Sequence, residues 1–132
     1  MKCLIVEDDT ISSQVMGKMI FKHGSFDVAV DGQKAIALFL QAHESGSPYQ
    51  LILMDIMMPE VDGLASLLTM RQKEADMKIP WAQKVKVIMT TALDDPRTMM
   101  KALFESDASS YLVKPIRLQK LEDELRVLKL IA

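Results

Sequence analysis

Leu51-Ile52-Leu53-Met54-Asp55-Ile56-Met57-Met58-Pro59 is apolar at four consecutive positions and then breaks on an acid. A strand without polar alternation has both faces covered, which is the condition of a central strand in a parallel sheet. Two other stretches end the same way. Cys3-Leu4-Ile5-Val6 runs into Glu7-Asp8-Asp9, and Tyr111-Leu112-Val113 runs into Lys114-Pro115. If the three are neighbouring parallel strands, their carboxyl ends bring four acids and one ammonium into a single crevice. Such a crevice suits a divalent cation and a phosphoryl group.

The rest of the chain alternates in the same manner. Lys2 to Val6 reads as a buried strand, after which Asp9 or Thr10 can cap a helix whose apolar side is Ile11, Val15, Met16, Met19 and Ile20, ended by His23-Gly24. Phe26 to Val30 is a second strand. After Asp31-Gly32 a helical pattern runs through Ala35, Ile36, Leu38, Phe39 and Leu40 until Gly46-Ser47-Pro48 breaks it. Asp62-Gly63 opens a third helix near Leu64 to Arg71. Val85 to Met89 is the fourth strand, with Thr90-Thr91-Ala92 at its carboxyl end, and Asp94-Asp95-Pro96 reads as a cap with proline in the first turn of a fourth helix. The fifth pair is Tyr111-Leu112-Val113 and a helix carrying Leu118, Leu121, Leu125 and Leu128. Five strand-then-helix units predict an α/β fold, a doubly wound parallel sheet with helices on both faces, because each crossover is right-handed and must cover its sheet. With no repeat, linker or low-complexity tract, residues 1–132 read as one domain.

Composition narrows the class. The chain has 132 residues, 49% hydrophobic and 26% charged, the balance of an ordinary globular protein. Its net charge of -2 gives no basic footprint, so direct nucleic-acid binding is not expected. No apolar stretch is long enough to span a bilayer, and acids appear too soon for a secretory signal, so a cytoplasmic location is expected. Cys3 is the single cysteine and sits in a strand, where it reads as a buried structural thiol.

Any one of Glu7, Asp8 and Asp55 is unremarkable at a strand end. Together they are not, since grouped carboxylates repel one another and raise the pKa of at least one unless a cation intervenes. Mg2+ suits the set, because it takes oxygen ligands, keeps several waters and commonly uses one or two carboxylates plus a phosphate. Asp55 can also be a nucleophile toward phosphorus, and Lys114 can place a compact positive charge on a phosphoryl oxygen. Thr90 or Thr91 can donate a hydroxyl to another such oxygen.

In these motifs the sequence resembles the response-regulator receiver domain, the phosphorylatable module of two-component signalling. The resemblance spans essentially the whole chain, through Leu4-Ile5-Val6-Glu7-Asp8-Asp9, Leu53-Met54-Asp55-Ile56-Met57-Met58-Pro59, Asp62-Gly63, Met89-Thr90-Thr91-Ala92 and Tyr111-Leu112-Val113-Lys114-Pro115. It implies a flavodoxin-like (βα)5 fold with strand order 2-1-3-4-5 and a switch point beside strands 1 and 3, where ligands of such sheets bind. It further implies that Asp55 accepts the phosphoryl group, and that Asp8 binds Mg2+ directly with Glu7 acting through water. Met57 then lends its backbone carbonyl to the metal, and Asp9 is left to capping. Thr91, directly before alanine, matches the family's hydroxyl residue in preference to Thr90, and Lys114 matches the lysine that contacts phosphate. Tyr111 matches an aromatic that turns inward as the threonine moves, so Thr91 and Tyr111 form the implied switch, read out on the face of the fourth helix, fifth strand and last helix. The implied partners are a sensor histidine kinase or phosphotransfer protein and an unidentified downstream target. The implied chemistry is self-phosphorylation and dephosphorylation rather than turnover of a diffusible substrate.

Several features depart from the pattern. The connection from Gln72 to Lys84 is long and either extends the third helix or forms a docking loop; Trp81 within it is expected to pack on its own domain. Asp107 stands where glycine is common, a residue that tolerates left-handed geometry. Met57 and Leu93 are apolar beside the site and can limit access of hydrolytic water. The eleven methionines read mostly as core filling, and His23 and His43 as surface residues. Rival functions are an aspartate-nucleophile phosphatase, which would place a second acid where Met57 stands, and a docking module that needs no phosphate. A flavodoxin-like cofactor binder is a further rival, although Glu7-Asp8-Asp9 would repel its phosphate without a metal. Within residues 1–132 no DNA-binding or enzymatic output segment is expected beyond the last helix; the expected alternatives are a receiver that acts alone by docking to a partner and a receiver cut from a longer protein.

Overall fold

In the computed structural model, which describes residues 1–56, 62–92, 97, 100, 103–105 and 107–132, the strands are β1 (Lys2–Val6), β2 (Ser25–Ala29), β3 (Leu51–Asp55), β4 (Lys86–Thr91) and β5 (Ser110–Val113). All pair in parallel, in the order β2-β1-β3-β4-β5. The connecting helices are α1 (Thr10–Phe21), α2 (Gly32–Glu44) and α3 (Gly63–Asp76), and a C-terminal helix spans Leu118–Val127. The two-residue period of each strand divides the core in two. Leu4, Val6, Ile52, Met54, Val87 and Met89 face α2 and α3, meeting Ala35, Phe39, Leu67 and Met70. Cys3, Ile5, Leu51, Leu53, Ile88 and Leu112 face α1 and the C-terminal helix, meeting Met16, Ile20, Leu121 and Leu125. This is the flavodoxin-like (βα)5 arrangement. No helix among the described residues is long and apolar enough to cross a membrane.

The helix starts follow from local chemistry. Asp9, Asp31 and Asp62 are N-caps whose carboxylates accept from the N–H of Ser12, Lys34 and Ala65, at 3.3, 2.8 and 2.8 Å. Gly63, next to the last of these caps, sits against the phosphoacceptor candidate: a Cβ there would lie 2.3 Å from the Asp55 carbonyl oxygen. Gly63→Ala must therefore push α3 away from the end of β3. The expected loss is about 1–3 kcal/mol, typical of overpacking, measured by urea unfolding against the parent.

Some expectations are overturned. α1 buries Ser13, Met16, Gly17 and Ile20, while Ile11 and Val15 are 72% and 46% exposed. The cause is Gly17, whose missing side chain admits the Phe26 ring, since a Cβ there would meet it at 2.6 Å. The face of α1 that meets the sheet is accordingly the one carrying Gly17, with Ser13, Met16 and Ile20. α3 runs to Asp76 rather than ending near Arg71, so the long connection partly extends the helix. Trp81 then begins a short 3-10 turn (Trp81–Gln83) and is 69% exposed instead of packed on its own domain.

His23 is not a free surface group. Its Nε2 lies 2.7 Å from Glu122 Oε2, because α1 and the C-terminal helix share one sheet face. His43 is half-buried and meets Phe39 edge-on. Of the methionines described, Met16, Met54, Met70 and Met89 are core, while Met77 and Met100 are exposed. Asp107 does take the left-handed region, at φ 57°. The Asp94-Asp95-Pro96 cap and the Leu93 and Met57 side chains lie outside the described residues.

Candidate functional site

The strand register assembles the site. Val6 pairs with Met54 and Asp55 with Thr90, so the residue after β1 and the last residue of β3 come level at the carboxyl edge of the sheet. Thr91 pairs with Val113, which brings Lys114 to the same edge. The Lys114 backbone N–H donates to the Thr91 carbonyl at 2.7 Å and holds that corner.

Glu7 and Asp55 are both buried, at 2% and 6% exposure, whereas Asp8 is exposed. One carboxylate oxygen from each of the three lies within 4.8 Å of the others. Lys114 Nζ donates to Glu7 Oε2 at 2.8 Å and stands 3.6 Å from Asp55 Oδ2. Asp9 is not in the cluster, since its carboxylate takes the N–H and hydroxyl of Ser12. Thr91 is buried at the end of β4, and strand alternation puts it on the face of Val87 and Met89, the face on which Tyr111 also packs. Thr90 is buried on the opposite face beside Ile88, and its hydroxyl has no partner among the described residues. Met57 falls outside the described residues, so its carbonyl is not placed.

Burial raises the pKa of the Glu7 carboxyl, the nearby Asp55 charge adds to the rise, and the hydrogen bond from Lys114 only partly offsets them. For Lys114 burial works against the charged form, yet its hydrogen bond to Glu7 and the charges of Asp55 and Glu7 outweigh it and hold the ammonium above its usual range. One ammonium thus faces more negative charge than it can balance. The donor set fits a hard divalent cation: three carboxylates and no thiol or imidazole, with Asp8 open to solvent so that waters can complete an octahedron.

A cation here must displace the proton that Glu7 retains above the ordinary glutamate range. Mg2+ affinity is therefore expected to be highest above the raised Glu7 pKa and to fall as pH drops through it, by roughly tenfold per unit for one displaced proton. Titration calorimetry across pH checks this, and Glu7→Gln should flatten the dependence.

Beside the cluster, the exposed Ile11 and Val15 join Met16, Pro115 and Ile116 around an open cleft of about 370 Å³. The sequence pattern alone missed this apolar rim, because it assigned Ile11 and Val15 to the core. The only signal that could have found it was Gly17, placed to admit an aromatic ring from β2.

The family model described as Response regulator receiver domain matches residues 3–126. The osmosensing histidine protein kinase SLN1 of Saccharomyces cerevisiae is 32% identical over 123 residues, which cover 92% of this chain but 9% of that protein. Among solved structures, the Francisella response regulator 1452 receiver domain superposes with a TM-score of 0.76 at 27% identity, covering 96% of this chain and 94% of its own. A chain from the co-crystal structure of the Saccharomyces cerevisiae histidine phosphotransfer signaling protein Ypd1 and the receiver domain of its downstream response regulator Ssk1 superposes with a TM-score of 0.79 at 28% identity. That match covers 94% of this chain and 85% of its own.

Proposed function

The chain belongs to the response-regulator receiver domain family, and from that premise we propose that it is a phosphorylation-dependent signalling switch, with residues 1–132 as one receiver unit. The observation that carries this reading is the meeting of Glu7, Asp8, Asp55 and Lys114 at one corner of the sheet. A carboxylate oxygen of Asp55 attacks the phosphorus of a phosphohistidine on a kinase or phosphotransfer partner. The new O–P bond forms as the N–P bond breaks, and the partner's imidazole takes up a proton. Bound Mg2+ supplies charge neutralisation on the phosphoryl oxygens. Asp8 and Asp55 would hold it directly, Glu7 through water, and Met57 through its carbonyl.

Lys114 swings its ammonium from Glu7 to the phosphoryl group, a short move given that it already stands 3.6 Å from Asp55. The Thr91 hydroxyl donates to a second phosphoryl oxygen, and Tyr111, on the same sheet face, follows into the space that Thr91 leaves. Phosphate thereby favours one of two arrangements of the surface around β5 and the C-terminal helix, and a downstream protein reads the difference. The apolar rim of Ile11, Val15, Pro115 and Ile116 lies where a donor must approach Asp55, so it serves as the donor's landing surface. Because the donor's phosphate derives from ATP, the domain works on the cytoplasmic side. It transfers phosphate to and from itself and turns over no diffusible substrate.

Incubation with acetyl phosphate and Mg2+, followed by intact mass spectrometry, tests the reading. One added phosphoryl group is expected in the parent, and none in Asp55→Asn or with chelator. Mg2+ binding without phosphoryl gain, from acetyl phosphate or from a phosphorylated phosphotransfer protein, would leave a docking module instead.

A further inference from the structure

The connection from α3 to β4 carries the chain's single tryptophan at the end of the sheet opposite Asp55. Trp81 is 69% exposed. Lys84 Nζ lies 5.5 Å and Lys86 Nζ 6.0 Å from its ring centroid, and neither lysine has a carboxylate within ion-pair reach among the described residues. With Arg71, Asp107 and Leu128 they border a groove of about 250 Å³. Arg71 is already engaged by Glu74 and by the carbonyls of Val85 and Asp107. Asp107 is the one acid in the lining, and it faces Arg71. Two ammoniums without a carboxylate partner among the described residues thus lie over a large exposed ring, a local positive field on a chain of net charge -2.

We propose that Trp81, Lys84 and Lys86 form a docking surface for an acidic segment of a partner protein. Its carboxylates meet the two ammoniums, and an apolar side chain of the segment lies on the indole, a ring of the kind that anchors interfaces. Single-stranded nucleic acid fits less well: it takes a basic groove with successive stacking rings, whereas this site has one ring on a molecule of net negative charge. The surface is at the amino ends of the strands, so a partner held there leaves the Asp55 corner open. Docking is accordingly independent of phosphorylation.

As the only tryptophan, Trp81 reports on its own site. The intact chain is titrated with a short glutamate-rich peptide bearing a central leucine pair, with a lysine-rich peptide of equal length, and with single-stranded oligothymidylate. The expected result is a saturable blue shift of emission with the acidic peptide alone. By anisotropy of the labelled peptide, Lys84→Ala/Lys86→Ala and Trp81→Ala should each weaken binding by roughly tenfold or more, and Asp55→Asn should bind as the parent does. Trp81 is exposed and the two lysines are half-buried, so circular dichroism of each variant, expected to match the parent, separates lost docking from lost folding. No shift with the acidic peptide, or equal binding by the double lysine variant, overturns the proposal. A tighter response to oligothymidylate replaces it with a nucleic-acid surface.

Discussion

Lys114→Ala is expected to slow phosphoryl acceptance from acetyl phosphate by roughly two to three orders of magnitude, the effect of removing one preorganised charge donor from developing transition-state charge. The same change should cost stability in a pH-dependent way. In the parent, Lys114 Nζ is the side-chain donor to a Glu7 carboxylate that has almost no contact with water. Without it, Glu7 is a buried charge with no counterion, and breaking such a pair costs about 3 kcal/mol when the group stays ionised. Glu7 escapes part of that cost by keeping its proton, because its folded-state pKa, already raised by burial, rises further. An acid with a raised folded-state pKa gives up stability as pH climbs through that pKa. The deficit of Lys114→Ala relative to the parent should therefore be small in mild acid and grow toward alkaline pH. Urea unfolding at several pH values, without metal, measures it. A deficit that shrinks with rising pH would contradict the arrangement of Glu7 and Lys114.

Arg71→Ala is expected to be the most destabilising single change away from the phosphoryl site. Glu74 is 0% exposed; its carboxylate accepts from Arg71 Nη1 at 2.7 Å and from the Val85 N–H at 2.8 Å. Arg71 also donates to the carbonyls of Val85 and Asp107, so one guanidinium links α3, the start of β4 and the turn before β5. Its loss strands a buried carboxylate, at about 3–5 kcal/mol, against a total stability of about 5–15 kcal/mol for a domain of this kind. Arg71→Met/Glu74→Gln should recover a substantial part, since Gln keeps an acceptor for Val85 and removes the charge. Chemical denaturation of both variants checks this. The cluster is remote from Asp55, so the folded fraction of either variant should still accept phosphate.

The parts of the fold that read clearly from sequence are those where one physical signal acts alone. Leu51–Met54 has no polar position, and only a strand covered on both faces allows that, so β3 and its acid end were legible at once. The site followed because parallel strands place their carboxyl ends together. The strand order came with the family resemblance and not from the apolar pattern.

What was hidden depended on contacts between distant elements. Glu74 looks like any surface glutamate of an amphipathic helix, and only the approach of Val85 and Arg71 makes it a core residue. Ile11 and Val15 have core spacing on α1, but the face with Gly17 takes the Phe26 ring and meets the sheet, which leaves those two exposed beside the site. Trp81 is expected to pack on its own domain, but α3 continues to Asp76 and the chain then turns at Trp81–Gln83 with the ring exposed. His23 lacks any sequence partner nearby, since Glu122 reaches it from the other end of the chain.

The central claim is that Asp55 itself carries the phosphoryl group. Reduction of the acetyl-phosphate-treated, Mg2+-loaded protein with borohydride converts an aspartyl phosphate to homoserine, and peptide mass spectrometry then locates it. The account predicts homoserine at position 55 and at no other carboxylate. Conversion at Asp8, Asp9 or Glu7 with Asp55 intact would contradict it.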